Sequence, residues 1–245
     1  MKDIINDKIA YIKINSMINY DYSKSDQKLI KKYLKKIKNY PALVIDIRGN
    51  SGGDSRYRTD FLLPSIIDNS YKVNYYNFIK YGPLNKKVIS QEKYKTGVDE
   101  FLKSHDFDSE TKDILNKFDY YNEYYLLVNK AEDSINYKGN IYLLVDGGVY
   151  SSSEMMVLFC KNAKIATVIG SKTGGDGIGT DPMQTYLPNS GFVLRYSKEI
   201  GVTEDGSINE LDQTKPDIQL DSNPLDDLDK QEIIQKIIEI ETSKN

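Results

Sequence analysis

The residues best placed for covalent chemistry are the serines within 141–159, IYLLVDGGVYSSSEMMVLF. The apolar run from Ile141 to Val145 has the character of a buried strand, breaks at Asp146-Gly147-Gly148, and hands over to serines that open an amphipathic helix. The first turn of a helix presents unpaired N–H groups and the positive end of the macrodipole, so an oxygen held there carries developing negative charge at low cost. Ser151 is therefore a candidate nucleophile. The same residues spell a capping box, in which the Ser151 hydroxyl takes the N–H three residues on and Glu154 reaches back. Serines cap helices far more often than they attack carbonyls, so Ser151 alone does not make an enzyme.

Two glycine loops stand on either side of this stretch. Pro41 to Ile47 (PALVIDI) is a continuous apolar run, as expected of a central parallel strand covered on both faces, and it ends in Arg48-Gly-Asn-Ser-Gly-Gly53. Glycines let a backbone approach a ligand closely and turn N–H groups into the crevice at the carboxyl ends of the strands, where open α/β sheets bind their ligands. A helix is expected from Tyr57 to Ile67. The second loop, Gly170-Ser-Lys-Thr-Gly-Gly-Asp-Gly-Ile-Gly179, follows an expected strand at Ile165–Ile169. Neither loop has the Gly-Lys-Ser/Thr order of a phosphate-binding loop or the dinucleotide fingerprint, so nucleotide binding is rejected.

The remaining elements must hold these loops. Ile9 to Ile14 is an expected strand, and 26–38 (DQKLIKKYLKKIK) places Leu29, Ile30, Leu34 and Ile37 on one helical face, with a solvated lysine face opposite. Strand, helix and second strand form a βαβ unit. Residues 70–138 form a tyrosine-rich excursion, with strands expected near 71–80 and 124–128 and helices near 97–103 and 109–117. His105 is expected in an exposed polar loop. Residues 183–187 and 192–196 flank Pro188-Asn-Ser-Gly191 as a hairpin, and 224–242 is expected to be a capped amphipathic helix that closes the domain. No second core is evident.

Composition removes several classes of function. The 245 residues, 39% of them hydrophobic, suffice for a sizeable core. A formal charge of −3, with 36 acids and 33 bases spread along the chain, disfavours nucleic acid. One cysteine, Cys160, and one histidine, His105, leave no thiolate or imidazole zinc site and no intrachain disulfide, so neither a metal nor another cofactor is expected. No apolar run is long enough to span a bilayer, and Met1-Lys2-Asp3 leads into a polar segment rather than a signal peptide.

The ordered set of strand-DIRGNSGG, strand-DGGVYSSSE-helix and strand-GSKTGG followed by ELDQTKPDI resembles the S41 peptidases, the carboxy-terminal processing and tricorn-core serine proteases, from about Ile9 to Leu220. The resemblance implies an α/β fold: a ClpP/crotonase-like core of βαβ units with a mostly parallel central sheet, helices packed on it, and an additional β-hairpin. It implies a single catalytic core over residues 1–245 and a serine peptidase that acts on peptide or protein substrates. The nucleophile of the family's Ser-x-Ser-Glu run matches Ser151, and the oxyanion donors match the N–H of Ser152 and a glycine N–H from Gly52-Gly53.

The base departs from the pattern. Where the processing branch has a lysine, about twenty-five residues beyond the nucleophile, this chain has Asp176; Lys172, nearby, matches a residue that is not the base. The tricorn-like branch uses a histidine from an upstream helical segment, oriented by a glutamate that matches Glu210, six residues before Pro216. The resemblance thus implies the core of a longer protein whose preceding domain supplies the histidine. Family members of this kind often work outside the cytoplasm, which requires a leader. Two other readings compete: a catalytically silent peptide-binding module on the same fold, and a crotonase-like acyl-CoA enzyme, against which the Ser-x-Ser-Glu run and the Glu-to-Pro-Asp tail speak.

Overall fold

The computed structural model describes residues 1–91, 94–221 and 226–243. In chain order the elements are β1 (Lys2–Ile5), β2 (Ile9–Lys13), α1 (Lys24–Lys36), β3 (Ala42–Asp46), a π-helical turn at Tyr57–Leu62, β4 (Tyr71–Ile79), α2 (Lys86–Gln91), α3 (Val98–Ser104) and α4 (Ser109–Leu115). They continue with β5 (Tyr120–Val128), β6 (Asn140–Val145), α5 (Ser152–Asn162), β7 (Thr167–Gly170), β8 (Met183–Tyr186), β9 (Val193–Tyr196), β10 (Glu199–Thr203), α6 (Asn209–Asp212), β11 (Ile218–Gln219) and α7 (Glu232–Thr242). The chain divides into two compact units: Met1–Val73 with Leu126–Gly177 and Gln213–Asn245, and Asn74–Tyr125 with Ile178–Asp212.

The first unit is built on a six-stranded sheet of order β1-β2-β3-β6-β7-β11. Only β1 is antiparallel to its neighbour; β2 through β11 pair in parallel. Parallel strands buried on both faces need apolar residues at every position, and the runs 42–45 and 142–145 supply them. Ile9, Tyr11, Val44, Tyr142, Leu144 and Ile169 share one face with Ile233, Ile234 and Ile237 of α7. The alternate row, including Ile12, Leu43, Ile45, Leu143 and Val168, is equally buried.

In α1 the buried stripe is Ile30, Leu34 and Ile37, spaced four and three apart; Leu29, expected on that face, lies outside the stripe and is 58% exposed. The closing helix starts at Glu232, later than expected, after a 3₁₀ turn at Leu228–Lys230, and residues 222–225 lie outside the described residues. Its N-cap, Gln231, makes no side-chain cap bond. A missing cap costs about 1 kcal/mol, whereas each buried isoleucine contributes roughly 1.5–3 kcal/mol, so packing decides the helix. The helix expected over 57–67 is instead the π-helical turn.

The second unit has its own sheet, β10-β4-β5, and its own core of Tyr76, Phe78, Val98, Phe101, Leu102, Phe107, Leu115, Val202 and Ile208. The sequence showed no second core because its contributors come from two segments separated by more than fifty residues. The tyrosines of 74–125 are partly explained here: Tyr76 meets Phe101 edge to face at 5.0 Å. His105 also departs from expectation. It is half-buried, with its ring stacked on Phe101 at 3.9 Å and Nδ1 2.8 Å from the Phe101 carbonyl. The expected hairpin is β8 paired with β9, with Tyr186 at 69% and Phe192 at 73% exposure. Among the described residues no helix is long and apolar enough to cross a membrane.

Candidate active site

The carboxyl ends of β3 and β6 are adjacent because the strands pair in parallel register, Asp46 beside Leu144. The turns that follow are tied to each other: Asp146 Oδ1 accepts the N–H of Gly49 at 2.8 Å and of Gly148 at 2.9 Å. Below them the buried Asp46 accepts from Arg48 Nε (2.9 Å) and Nη2 (2.7 Å) and from the Tyr11 hydroxyl (2.6 Å). Burial alone would raise the Asp46 carboxyl, but the hydrogen bonds and charge of Arg48, with Tyr11, outweigh it and hold the group below its ordinary value.

Asn50, fully buried, joins the glycine loop to α5. Its Oδ1 accepts the Gly52 N–H at 3.0 Å and the Ser153 hydroxyl at 2.7 Å, and its Nδ2 donates to the Ile14 carbonyl at 2.9 Å. Gly52, at φ +100°, lies so close to the helix start that a Cβ there would come within 2.9 Å of the Ser151 Cβ and of the Tyr150 carbonyl oxygen. The loop and Ser151 are therefore together. The Gly52 N–H is already engaged, whereas the N–H groups of Gly53 and Ser152 donate to no acceptor among the described residues.

Ser151 stands at φ +56°, ψ −124°, a conformation that non-glycine residues avoid. It occupies the N-cap position of α5 without making a side-chain cap bond. The capping box does not form: the Ser151 side chain makes no cap bond, and Glu154 is buried elsewhere, its Oε1 accepting from the Thr214 hydroxyl at 2.6 Å. Ser151 is half-buried; the Ser152 hydroxyl accepts from Arg58 Nε at 3.2 Å. The glycine-rich loop after β7 closes the other side: Ser151 N–H reaches the Gly175 carbonyl at 3.4 Å and Gly174 N–H the Val149 carbonyl at 2.8 Å. Thr173 and Thr214 bond each other through backbone and side chain, which ties Thr214 to the same place.

The groups that could serve as a base lie as follows. Lys172 is exposed. Asp176, where the processing branch would have its lysine, accepts the Tyr150 hydroxyl. Glu210 belongs to the second unit and there receives the Gly201 N–H on both carboxylate oxygens, at 3.0 and 2.9 Å. The chain's single histidine is the stacked His105 of that unit. Among the described residues no group of three or more His, Cys, Asp or Glu side chains could hold a metal ion. Asn50, Asp146 and Thr214 were not singled out from the sequence; the Asn50-x-Gly52 spacing, which suits an Asx turn, was the one available signal.

The family model of peptidase family S41 matches residues 8–220. Among solved structures, a candidate peptidase from Parabacteroides merdae ATCC 43184 matches all of this chain and 64% of its own, with a TM-score of 0.68 at 16% identity. Mature CPAF matches over 86% of this chain and 46% of its own (TM-score 0.59, 18% identity). The photosystem II D1 C-terminal processing protease matches over 87% and 42%, respectively (TM-score 0.50, 18% identity). At these identities the likeness is one of fold, and the chain spans less than two thirds of each of these proteins. No curated protein sequence matches the chain.

Proposed function

The chain belongs to peptidase family S41, and from that premise we propose that it hydrolyses peptide bonds by serine acyl transfer, with Ser151 as the nucleophile. The Ser151 oxygen attacks the scissile carbonyl carbon as a base removes its proton. The carbonyl oxygen, negative only from that point, is received by the N–H groups of Ser152 and Gly53. The leaving amine takes the proton, and water then cleaves the acyl ester. Two preorganised amides suit this reaction because they meet charge that the ground state lacks; losing one such donor costs roughly 100- to 1,000-fold in rate. The observation that carries the reading is a strained, half-buried serine with no cap bond, packed against Gly52 at the start of α5, with the following N–H groups of both segments, Gly53 and Ser152, donating to no acceptor among the described residues. Of the two loop glycines, Gly53 is the donor and Gly52 shapes the wall, since the Gly52 amide is engaged by Asn50.

A serine hydroxyl is a poor nucleophile at neutral pH without a base. We take the base to be a histidine from outside these 245 residues, oriented by Glu210, as the family resemblance implies; the chain's one histidine, His105, is engaged by the Phe101 ring and carbonyl. The test compares a fluorophosphonate probe on this chain and on the longest chain its gene encodes. We expect little labelling of the first, rapid labelling of the second, and none in Ser151→Ala. Rapid labelling of the 245-residue chain would refute the external base. One observation favours a second reading: the residue at the lysine position is Asp176, held by Tyr150, as a peptide-binding module without catalysis would allow. Peptide binding without turnover by the longest chain would select it.

A further inference from the structure

We propose that Asn50 is a positioning residue of the oxyanion hole: its single amide oxygen sets the spacing between the glycine loop and the amide of Ser152. The inference rests on the Ser151 reading above. Oδ1 receives the Gly52 N–H at 3.0 Å from the loop and the Ser153 hydroxyl at 2.7 Å from the first turn of α5. One atom thus measures the distance between the two chain segments that carry the free donors. The orientation of the amide group is fixed by its surroundings: the Ile14 carbonyl can only accept, and the Gly52 N–H can only donate, so Nδ2 must face the first and Oδ1 the second.

Asn50 also binds through its backbone. Its N–H donates to the Ile47 carbonyl at 2.9 Å, and its carbonyl accepts from Tyr150 N–H at 3.3 Å, one residue before the nucleophile. With the side chain fully buried, no solvent competes for these bonds.

Two consequences follow. Asn50 engages the Gly52 amide, whereas the adjacent Gly53 N–H donates to no acceptor among the described residues. The third serine of Ser151-Ser-Ser153 serves as the helix's grip on that same oxygen. Without Asn50, the Gly52 N–H must find another acceptor, and the two donors lose their common reference.

The test is steady-state hydrolysis and fluorophosphonate labelling by the longest encoded chain, with thermal unfolding as the control for folding. Asn50→Ala is expected to lower kcat and the labelling rate by about 100-fold, the effect of one mis-set donor, with KM unchanged within about two-fold. Asn50→Asp, which keeps an acceptor for Gly52, is expected to recover part of the loss. Ser153→Ala, which removes a single bond from Oδ1, is expected to lower kcat about 10-fold by the same logic, and it decides the matter if Asn50→Ala does not fold. Parental kcat in Asn50→Ala or Ser153→Ala, or kcat and KM falling away together, would overturn the proposal while Ser151→Ala remained inactive. An active Ser151→Ala would instead remove the reading on which it rests.

Discussion

Gly52→Ala tests the packing of the site most directly. A Cβ at this position would lie 2.9 Å from the Ser151 Cβ, 2.9 Å from the Tyr150 carbonyl oxygen and 3.0 Å from the Ser152 nitrogen, with φ at +100°. Two of those three atoms are backbone and cannot rotate away. The strained dihedral costs about 1–3 kcal/mol in a non-glycine residue, and the overpacking adds about 1–3 kcal/mol. Gly49→Ala separates the two contributions, because Gly49 is at φ +75° with nothing within 4 Å of its added Cβ. It carries the backbone cost alone. The difference between the two variants, roughly 1–3 kcal/mol, corresponds to about 2–12 °C in Tm for a chain of this size. Differential scanning calorimetry of both variants measures it, and fluorophosphonate labelling of the longest encoded chain reports whether Ser151 has moved. If Gly52→Ala melts with Gly49→Ala and labels at the parental rate, the loop does not press on the nucleophile and the geometric argument fails.

Ser151→Gly is expected to raise stability by about 1 kcal/mol, because glycine relieves the strain at φ +56°, and Ser151→Ala to change it by less than about 0.5 kcal/mol, since no cap bond is lost. Denaturation midpoints check both, and a fall of 1–2 kcal/mol in Ser151→Ala, the range of a lost cap, would contradict them. Because Asp46 is held below its ordinary value of 3.8, it contributes stability above that pH and loses it as pH falls through the lower folded value. Urea midpoints of the parent should therefore fall more steeply below pH 3.8 than those of Asp46→Asn; parallel curves would refute this. Burial, opposed only by the charge of Arg58, pushes the Cys160 thiol up to about 12. Iodoacetamide at pH 8 should leave it unmodified in the folded chain and alkylate it in guanidinium, as mass spectrometry would show.

The fold of the first unit was legible because its strands are buried on both faces and so declare themselves as unbroken apolar runs, 42–45 and 142–145 most clearly. The same physics located Ser151, at the break between such a run and a helix. What failed was the assignment of roles within the turn. Sequence spacing says that Ser151 and Glu154 can form a capping box, but spacing carries no φ, and at +56° Ser151 makes no cap bond. Glu154 then bonds Thr214, a partner sixty residues away that no local pattern announces. The second unit was hidden for a related reason: Val202 and Ile208 meet Tyr76 and Phe78 only after the chain has passed through the first unit and returned.

The strain at Ser151 also ties its motifs to one another. A non-glycine residue in this conformation persists only where the surroundings over-determine it. Here Tyr150 N–H is held by the Asn50 carbonyl, Ser151 N–H by Gly175, Ser153 by Asn50 Oδ1 and Glu154 by Thr214. The restraints come from three segments, two of them from Asn50 and one each from Gly175 and Thr214, and each acts within three residues of the hydroxyl. No one loop could hold the serine against relaxation, so DIRGNSGG, GSKTGG and the Thr214 segment are structural requirements of the nucleophile's conformation as much as contributors to its chemistry. Removing any one should let the turn relax toward an ordinary helix start, in which the Ser151 hydroxyl bonds to the helix amides and is no longer available to attack.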